Sequence, residues 1–255
     1  LHFFAEGATS LALNAVWNVL NEFTLSAIPL FIIMGEILLE SGVSQKIYGS
    51  LSGVFRHIPG GLLHTNIAVC TVFGAISGSS LATAAAVGSV AYPEMSKRNY
   101  NEPMVVGSLA GGGTLGLLIP PSLSLLIYGA LTETSIGKLF MGGILPGILM
   151  AILFMLYIFI RCTINPKLWN SDTNSEEVLN SSIVDFLKIW PIGFLIFAVM
   201  GSIVLGIATP TEAAGVGVIS SLLLGKIDFK FSLLIIFFLK LMFPIKLFIK
   251  VELSK

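Results

Sequence analysis

Charge is the scarcest thing in this sequence. Asp, Glu, Lys and Arg together make up 11% of its 255 residues, against 55% hydrophobic residues. A soluble domain carries ~25% charged residues, so the composition is that of a polytopic membrane protein rather than a water-exposed globule. The 14 basic and 14 acidic residues cancel, which argues against the basic surface a nucleic-acid partner requires. Cysteine is nearly absent. Cys70 and Cys162 show no metal or redox spacing, and Cys70, in an apolar stretch, is expected to pack. The glycine run Gly111-Gly112-Gly113-Thr114 lacks the Lys of a phosphate-binding loop, which argues against drive by ATP and leaves an ion gradient as the energy source. No initiator Met or signal-peptide pattern precedes Leu1-His2-Phe3-Phe4, so the chain is expected to begin inside a longer protein.

What the chain has instead is long uncharged runs. Ile58 to Pro93 is 36 residues without an Asp, Glu, Lys or Arg, split by Ser77-Gly78-Ser79-Ser80. One transmembrane helix needs ~20 apolar residues, so the run is too long for one span and short for two. The economical solution is a re-entrant hairpin with arms at about 61–76 and 81–95 meeting at a polar tip. Irregular backbone at membrane depth is tolerated only where protein or a watery cavity surrounds it. Such a tip offers carbonyls and hydroxyls to a small ion. Residues 103–132 form a second uncharged run, interrupted by Gly111-Gly112-Gly113-Thr114 and by Pro120-Pro121-Ser122. Adjacent prolines remove two backbone donors, so the expectation is a discontinuous helix, 104–117 and 123–131, with an unwound centre.

The rest of the chain reads around these two features. Residues 11–22 suggest a helix, 23–39 an apolar helix, and 41–57 an amphipathic helix at the interface. Leu139–Ile160 is an uncharged 22-residue span. The segment 161–188 is hydrophilic, with an interfacial helix expected near 176–188. Another span covers 189–208, Thr209-Pro210-Thr211-Glu212 breaks it, and a return helix begins at Ala213. The organisation is therefore 1–57, helices and interfacial arm; 58–160, hairpin, broken helix and span; 161–188, connecting loop; 189–225, start of a second unit; and 226–255, a divergent tail. With both hairpin bases in the cytoplasm, that side holds Lys46, Arg56, Lys97, Arg98, Arg161, Lys167 and Lys188, and the other only Lys138 before the final helix. This is the bias of the positive-inside rule, and two full spans in place of the hairpin would leave it unchanged.

Six stretches, in order, resemble the large membrane subunit of the tripartite ATP-independent periplasmic (TRAP) transporters. They are Ala27-Ile28-Pro29-Leu30-Phe31 with Met34-Gly35-Glu36, Pro59-Gly60-Gly61-Leu62, Gly74-Ala75-Ile76-Ser77-Gly78-Ser79-Ser80, Ala84-Ala85-Ala86-Val87-Gly88-Ser89, Ile119-Pro120-Pro121-Ser122 and Thr209-Pro210-Thr211-Glu212-Ala213-Ala214. The resemblance covers roughly residues 15–225. It implies an all-α, multi-pass permease of the bacterial inner membrane: an elevator of two inverted repeats, each with a hairpin and a discontinuous helix. It implies sodium as the coupling ion and no other cofactor. The expected partners are a periplasmic substrate-binding protein, a small membrane subunit and the lipid bilayer. The substrate would be an organic acid such as a C4-dicarboxylate or a sialic-acid-like carboxylate. Each hairpin tip is expected to face the other repeat's broken helix. Only the first repeat is recognisable here, and residues 226–255 match no family pattern, so the chain is expected to be a piece of such a permease or a truncated, inactive remnant.

The candidate ion-binding residues are Ser77, Gly78, Ser79, Ser80 and Thr83 at the tip, and Thr114, Gly116 and Pro120 at the second break. Unwound helix ends supply hard oxygen ligands without formal charge. The competing role for the serines is close helix packing, and for Thr83 a bond to its own helix. Asn66 and Ser122 are candidate substrate contacts, with Asn66 also placed to bond across the hairpin arms. Glu36 is an acid in an apolar helix, a functional candidate by default. His64 is a relay candidate whose bland reading is a hydrogen-bonded structural histidine. Glu212, at a helix start, reads as a cap. No arginine lies in a broken helix to hold a carboxylate. An intramembrane serine protease using Ser77 would need a base at the tip, and a simple channel would need charged rings that the sequence lacks.

Overall fold

The computed structural model describes residues 13, 14, 17, 23–55, 57–169 and 190–226. All regular structure among them is helical. A 3-10 turn, Phe23–Ser26, leads into α1 (Ala27–Glu40), and α2 (Val43–Phe55) follows at 65° to it. Gly42, at φ 70°, makes this bend. α2 buries Val43, Ser44, Ile47, Tyr48 and Ser52, so the apolar stripe read in the sequence packs on its neighbours while Val54 remains exposed. Of the helix expected over 11–22, Leu13, Asn14 and Trp17 are described, and all three are helical. The helix expected near 176–188 and the tail beyond Lys226 lie outside the described residues.

Where the hairpin was expected, two helices are joined by a two-residue turn. α3 (Leu62–Ser77) is capped by Gly78, and α4 (Ser80–Lys97) begins after Ser79. Gly78 holds φ 60°, ψ 10° and its amide returns to Gly74 O at 2.9 Å, a left-handed cap that favours glycine. Ser79 caps α4 by accepting from the Ala82 amide. With 16 and 18 residues, the arms are about 24 and 27 Å long at 1.5 Å per residue, short of the ~30 Å hydrocarbon layer. α3 is the most buried element and packs most extensively on α5 (Glu102–Leu118).

α5 runs through Gly111-Gly112-Gly113-Thr114 without a break, in line with the helix expected over 104–117. These glycines are contact points: a Cβ on Gly112 would lie 3.0 Å from Cys70 Cβ, and one on Gly113 would lie 2.8 Å from Ala84 Cβ. Helices that approach this closely need small residues at the interface. The chain breaks only at 119–122, between α5 and α6 (Leu123–Leu131). The prolines explain why. Helical bonds to Gly116 O and Leu117 O would come from residues 120 and 121, which have no N–H.

α7 (Ile136–Ile164) is a 29-residue apolar helix with one long face exposed. α8 (Trp190–Val204) and α9 (Pro210–Lys226) follow, and α9 packs along α1. By length and composition, Glu102–Leu131 and Ile136–Ile164 are each long enough to cross a membrane, and α1 with α2 would make a third crossing if counted as one bent span. The Thr209–Glu212 break is a reciprocal cap: the Thr209 amide donates to Glu212 Oε2 at 2.8 Å, and the Glu212 amide to Thr209 Oγ1 at 3.3 Å. Glu212 therefore has the capping role read from its position.

Candidate functional site

The hairpin tip rests on the break of the same repeat. The Leu123 amide, the first of α6, donates to Gly78 O at 3.2 Å. A Cβ on Gly78 would lie 2.6 Å from Pro121 O, so the tip meets the break backbone to backbone. One step back, a Cβ on Gly116 would lie 2.8 Å from Ser79 O and 2.9 Å from Thr83 Oγ1. The tip thus meets the break of its own repeat, and glycines at 74, 78 and 116 allow that approach. α1 closes the third side, where a Cβ on Gly35 would lie 3.2 Å from Ser77 Cα. That contact accounts for the glycine of Met34-Gly35-Glu36. Glu36 itself is exposed.

The tip concentrates neutral oxygens. Ser77 Oγ and Thr83 Oγ1 are 2.7 Å apart and both buried. Thr83 Oγ1 also donates to Ser79 O at 2.7 Å, and Ser77 Oγ lies 3.2 Å from the same carbonyl. Ser122, buried at the break, donates to Leu117 O at 2.5 Å, one of the carbonyls the prolines deprive of an amide. Gly116 O has no such substitute among the bonds of the break. Ser80 is half-buried. No group of three or more His, Cys, Asp or Glu side chains gathers among the described residues. Hydroxyl and carbonyl oxygens without carboxylates suit a weakly held, hard monovalent cation rather than a transition metal.

The structure brings together Ser77, Gly78, Ser79, Ser80, Thr83, Gly116 and Ser122, with Pro120 buried beside them. It sets two expected residues apart. Thr114 is exposed, and its hydroxyl donates to Gly111 O of its own helix at 2.6 Å. Asn66 lies 11 residues before Ser77 on α3, about 16 Å away along the helix. Its Nδ2 donates to Ser108 Oγ at 2.8 Å on α5 and contacts Met95 Sδ at 3.2 Å on α4. Asn66 does bond across the arms, and it ties the hairpin's base rather than its tip. Sequence reading missed Gly74 and the Leu123 amide. The Gly112-x3-Gly116 spacing was the available signal for close packing.

His64 is buried, with Nε2 2.9 Å from Pro59 O and its ring stacked on Phe55 at 6.1 Å. It has the hydrogen-bonded role of a structural histidine. It precedes Ser77 by 13 residues on the same helix, about 20 Å, so it cannot serve Ser77 as a base. The hairpin base is closed by a clasp. Tyr100 Oη accepts from the Leu62 amide at 3.3 Å, and the Asn101 amide donates to Leu168 O at 3.3 Å. Trp169 lies over Gly61, whose added Cβ would sit 3.6 Å from the indole. Burial pushes the Tyr100 phenol above its ordinary value, so it stays protonated.

Similarity to known proteins bears on this arrangement. Residues 2–238 match the family model described as the tripartite ATP-independent periplasmic transporter, DctM component. The match runs 13 residues past Gly225 (238 − 225), into the tail that had read as divergent. The chain is 36% identical over 221 residues to the C4-dicarboxylate TRAP transporter large permease of Pseudomonas aeruginosa, covering 87% of this chain and 51% of that protein. It is 34% identical over 207 residues to the ectoine TRAP transporter large permease of Halomonas elongata, covering 81% and 48%. It is 32% identical over 209 residues to the sialic acid TRAP transporter large permease of Vibrio cholerae, covering 82% and 48%. The chain spans about half the length of these relatives.

Proposed function

The chain belongs to the family of the DctM component of tripartite ATP-independent periplasmic transporters, and on that premise we propose that it forms the first repeat of a sodium-coupled permease for organic acids. In this reading the protein lies in the bacterial inner membrane. α3 and α4 form a re-entrant hairpin, and α5 and α6 form a discontinuous membrane helix. The repeat moves as part of an elevator. A periplasmic binding protein delivers substrate and a small membrane subunit supports the permease. Dicarboxylate, ectoine and sialic acid, the substrates in three relatives' names, are all carboxylic acids, which supports an organic acid as the substrate.

The observation that carries the reading is the seat of Gly78 on Leu123. It sets the Ser77 and Thr83 hydroxyls and the carbonyls of the tip beside the break. These are ligands that a dehydrated sodium ion can exchange for water. Sodium entry would lock the tip onto the break, and its loss would free the tip, which couples the ion to the moving part. The serine-protease alternative has no comparable support, because Ser77 is bonded to Thr83 and no described histidine reaches it.

The test is uptake into proteoliposomes. The chain is extended with the remaining length of the Pseudomonas relative and supplied with binding protein and small subunit. An inward sodium gradient should then drive accumulation of a labelled C4-dicarboxylate, sialic acid or ectoine, and a potassium gradient should not. The 255-residue chain alone should give no uptake. Uptake indifferent to sodium would remove the coupling claim, and failure with all three acids would remove the substrate class.

A further inference from the structure

The tip and the break are held from a side that carries none of the candidate ligands. α7 packs behind the break with two glycines one turn apart. A Cβ on Gly143 would lie 2.8 Å from Leu118 O and 2.9 Å from Leu125 Cδ1. A Cβ on Gly147 would lie 2.7 Å from Ile119 Cγ1. These contacts span the end of α5, the unwound residues and the start of α6. On the opposite side, Gly78 of the hairpin sits on Pro121 O and the Leu123 amide. The break is therefore clamped between two glycine surfaces, and its distance from the tip is fixed by how closely α7 approaches. By contrast, a Cβ on Gly142, the neighbouring residue of α7, would meet nothing within 4 Å.

We propose that Gly143 and Gly147 of α7 are positioning residues that set the register of the 119–122 break beneath the hairpin tip, and through it the affinity of the coupling-ion site. This rests on the sodium reading given above. A methyl group at position 147 pushes Ile119 away from α7 and toward the tip. The Leu123–Gly78 bond then lengthens or slips, and the oxygens around Ser77 and Thr83 lose their relative placement, although no candidate ligand has been changed. The clash at 147 is with a side-chain atom, so truncating Ile119 relieves it, leaving a small net loss of packed volume. At 143 the clash is with the Leu118 carbonyl itself, and no side-chain truncation relieves it.

Hydrogen exchange of the 255-residue chain in lipid nanodiscs tests this. Pro120 and Pro121 carry no amide, so a fragment across the break reports few sites, and Leu123 is one of them. Gly147→Ala should speed exchange there about tenfold while the α1–α9 interface keeps its wild-type protection. Adding Ile119→Ala should return the break to wild-type exchange. Gly142→Ala should change nothing. In a second arm, sodium but not potassium should slow exchange at the break, and Gly147→Ala should raise the sodium needed about tenfold. Unaltered exchange in Gly147→Ala overturns the proposal, as does a chain-wide increase that Ile119→Ala fails to reverse. Wild-type exchange that ignores sodium counts against the ion site, and with it the affinity half of the proposal. The first arm still decides whether α7 sets the register.

Discussion

Gly74 and Gly116 touch backbone to backbone: a Cβ on Gly74 would lie 2.9 Å from Gly116 Cα and 3.0 Å from its amide nitrogen. This contact brings α3 and α5 close enough for the tip to reach the break. Gly74→Ala has no room to relax, because the atoms it meets are main-chain. It should cost about 1–3 kcal/mol, the usual range for overpacking, read as a lower thermal unfolding temperature in detergent. Gly201→Ala is the control. Its Cβ meets nothing within 4 Å in α8, so the gain in helix propensity should leave stability unchanged or raised by about 0.5–1 kcal/mol. Equal behaviour of the two variants would dismiss the close approach.

Thr83→Val and Ser77→Ala each remove one of two hydroxyls 2.7 Å apart at the tip. In the extended permease, each should raise the sodium concentration for half-maximal uptake. Losing one buried polar partner costs about 1–3 kcal/mol, roughly a 5- to 150-fold change. Thr114→Ala removes an exposed hydroxyl that bonds within its own helix and should leave sodium dependence alone. A shift with Thr114→Ala and none with Thr83→Val would reverse the assignment.

Asn66 separates stability from ion binding. Asn66→Leu leaves Ser108 Oγ, which still donates to Val105 O, without its amide donor. Cost should be about 1–3 kcal/mol in unfolding free energy. Sodium dependence should stay at wild type, since the residue is remote from the tip. An altered sodium requirement would bring the hairpin base into the transport site.

Sidedness is open to thiol labelling. Cys70 and Cys162 are buried and unpaired, so single cysteines at exposed positions report alone. Cysteines at Gln45 and Ser96, both exposed, should label from the cytoplasm, and one at Thr134 from the periplasm. Labelling of Gln45 and Ser96 positions from opposite faces would mean that the hairpin crosses the membrane.

Element ends were legible because they are local. Pro59-Gly60-Gly61, Ser77 to Ser80, Pro120-Pro121 and Thr209 to Glu212 each impose a missing donor, a left-handed residue or a cap, and the helices stop there. The helix over 104–117 was legible through its glycine run, but what the glycines serve was not: Gly112 meets Cys70 of α3 and Gly113 meets Ala84 of α4, neighbours distant in sequence. The outward turn of Thr114 was hidden for a related reason. α5 is apolar on all sides, so no polar stripe marks which face meets the protein. The tip–break contact within one repeat was hidden because hydrophobic pattern fixes where helices are but not which ends meet.

The clasp at the hairpin's base has a bearing on biosynthesis. The Leu62 amide waits for Tyr100, and the Asn101 amide waits for Leu168. A chain made from its N-terminus has both hairpin arms long before it has residue 168. Until the ribosome has passed the end of α7, the base of the hairpin has only half of its fastening. The order of synthesis therefore keeps the hairpin unsealed until its back-plate has arrived to receive it.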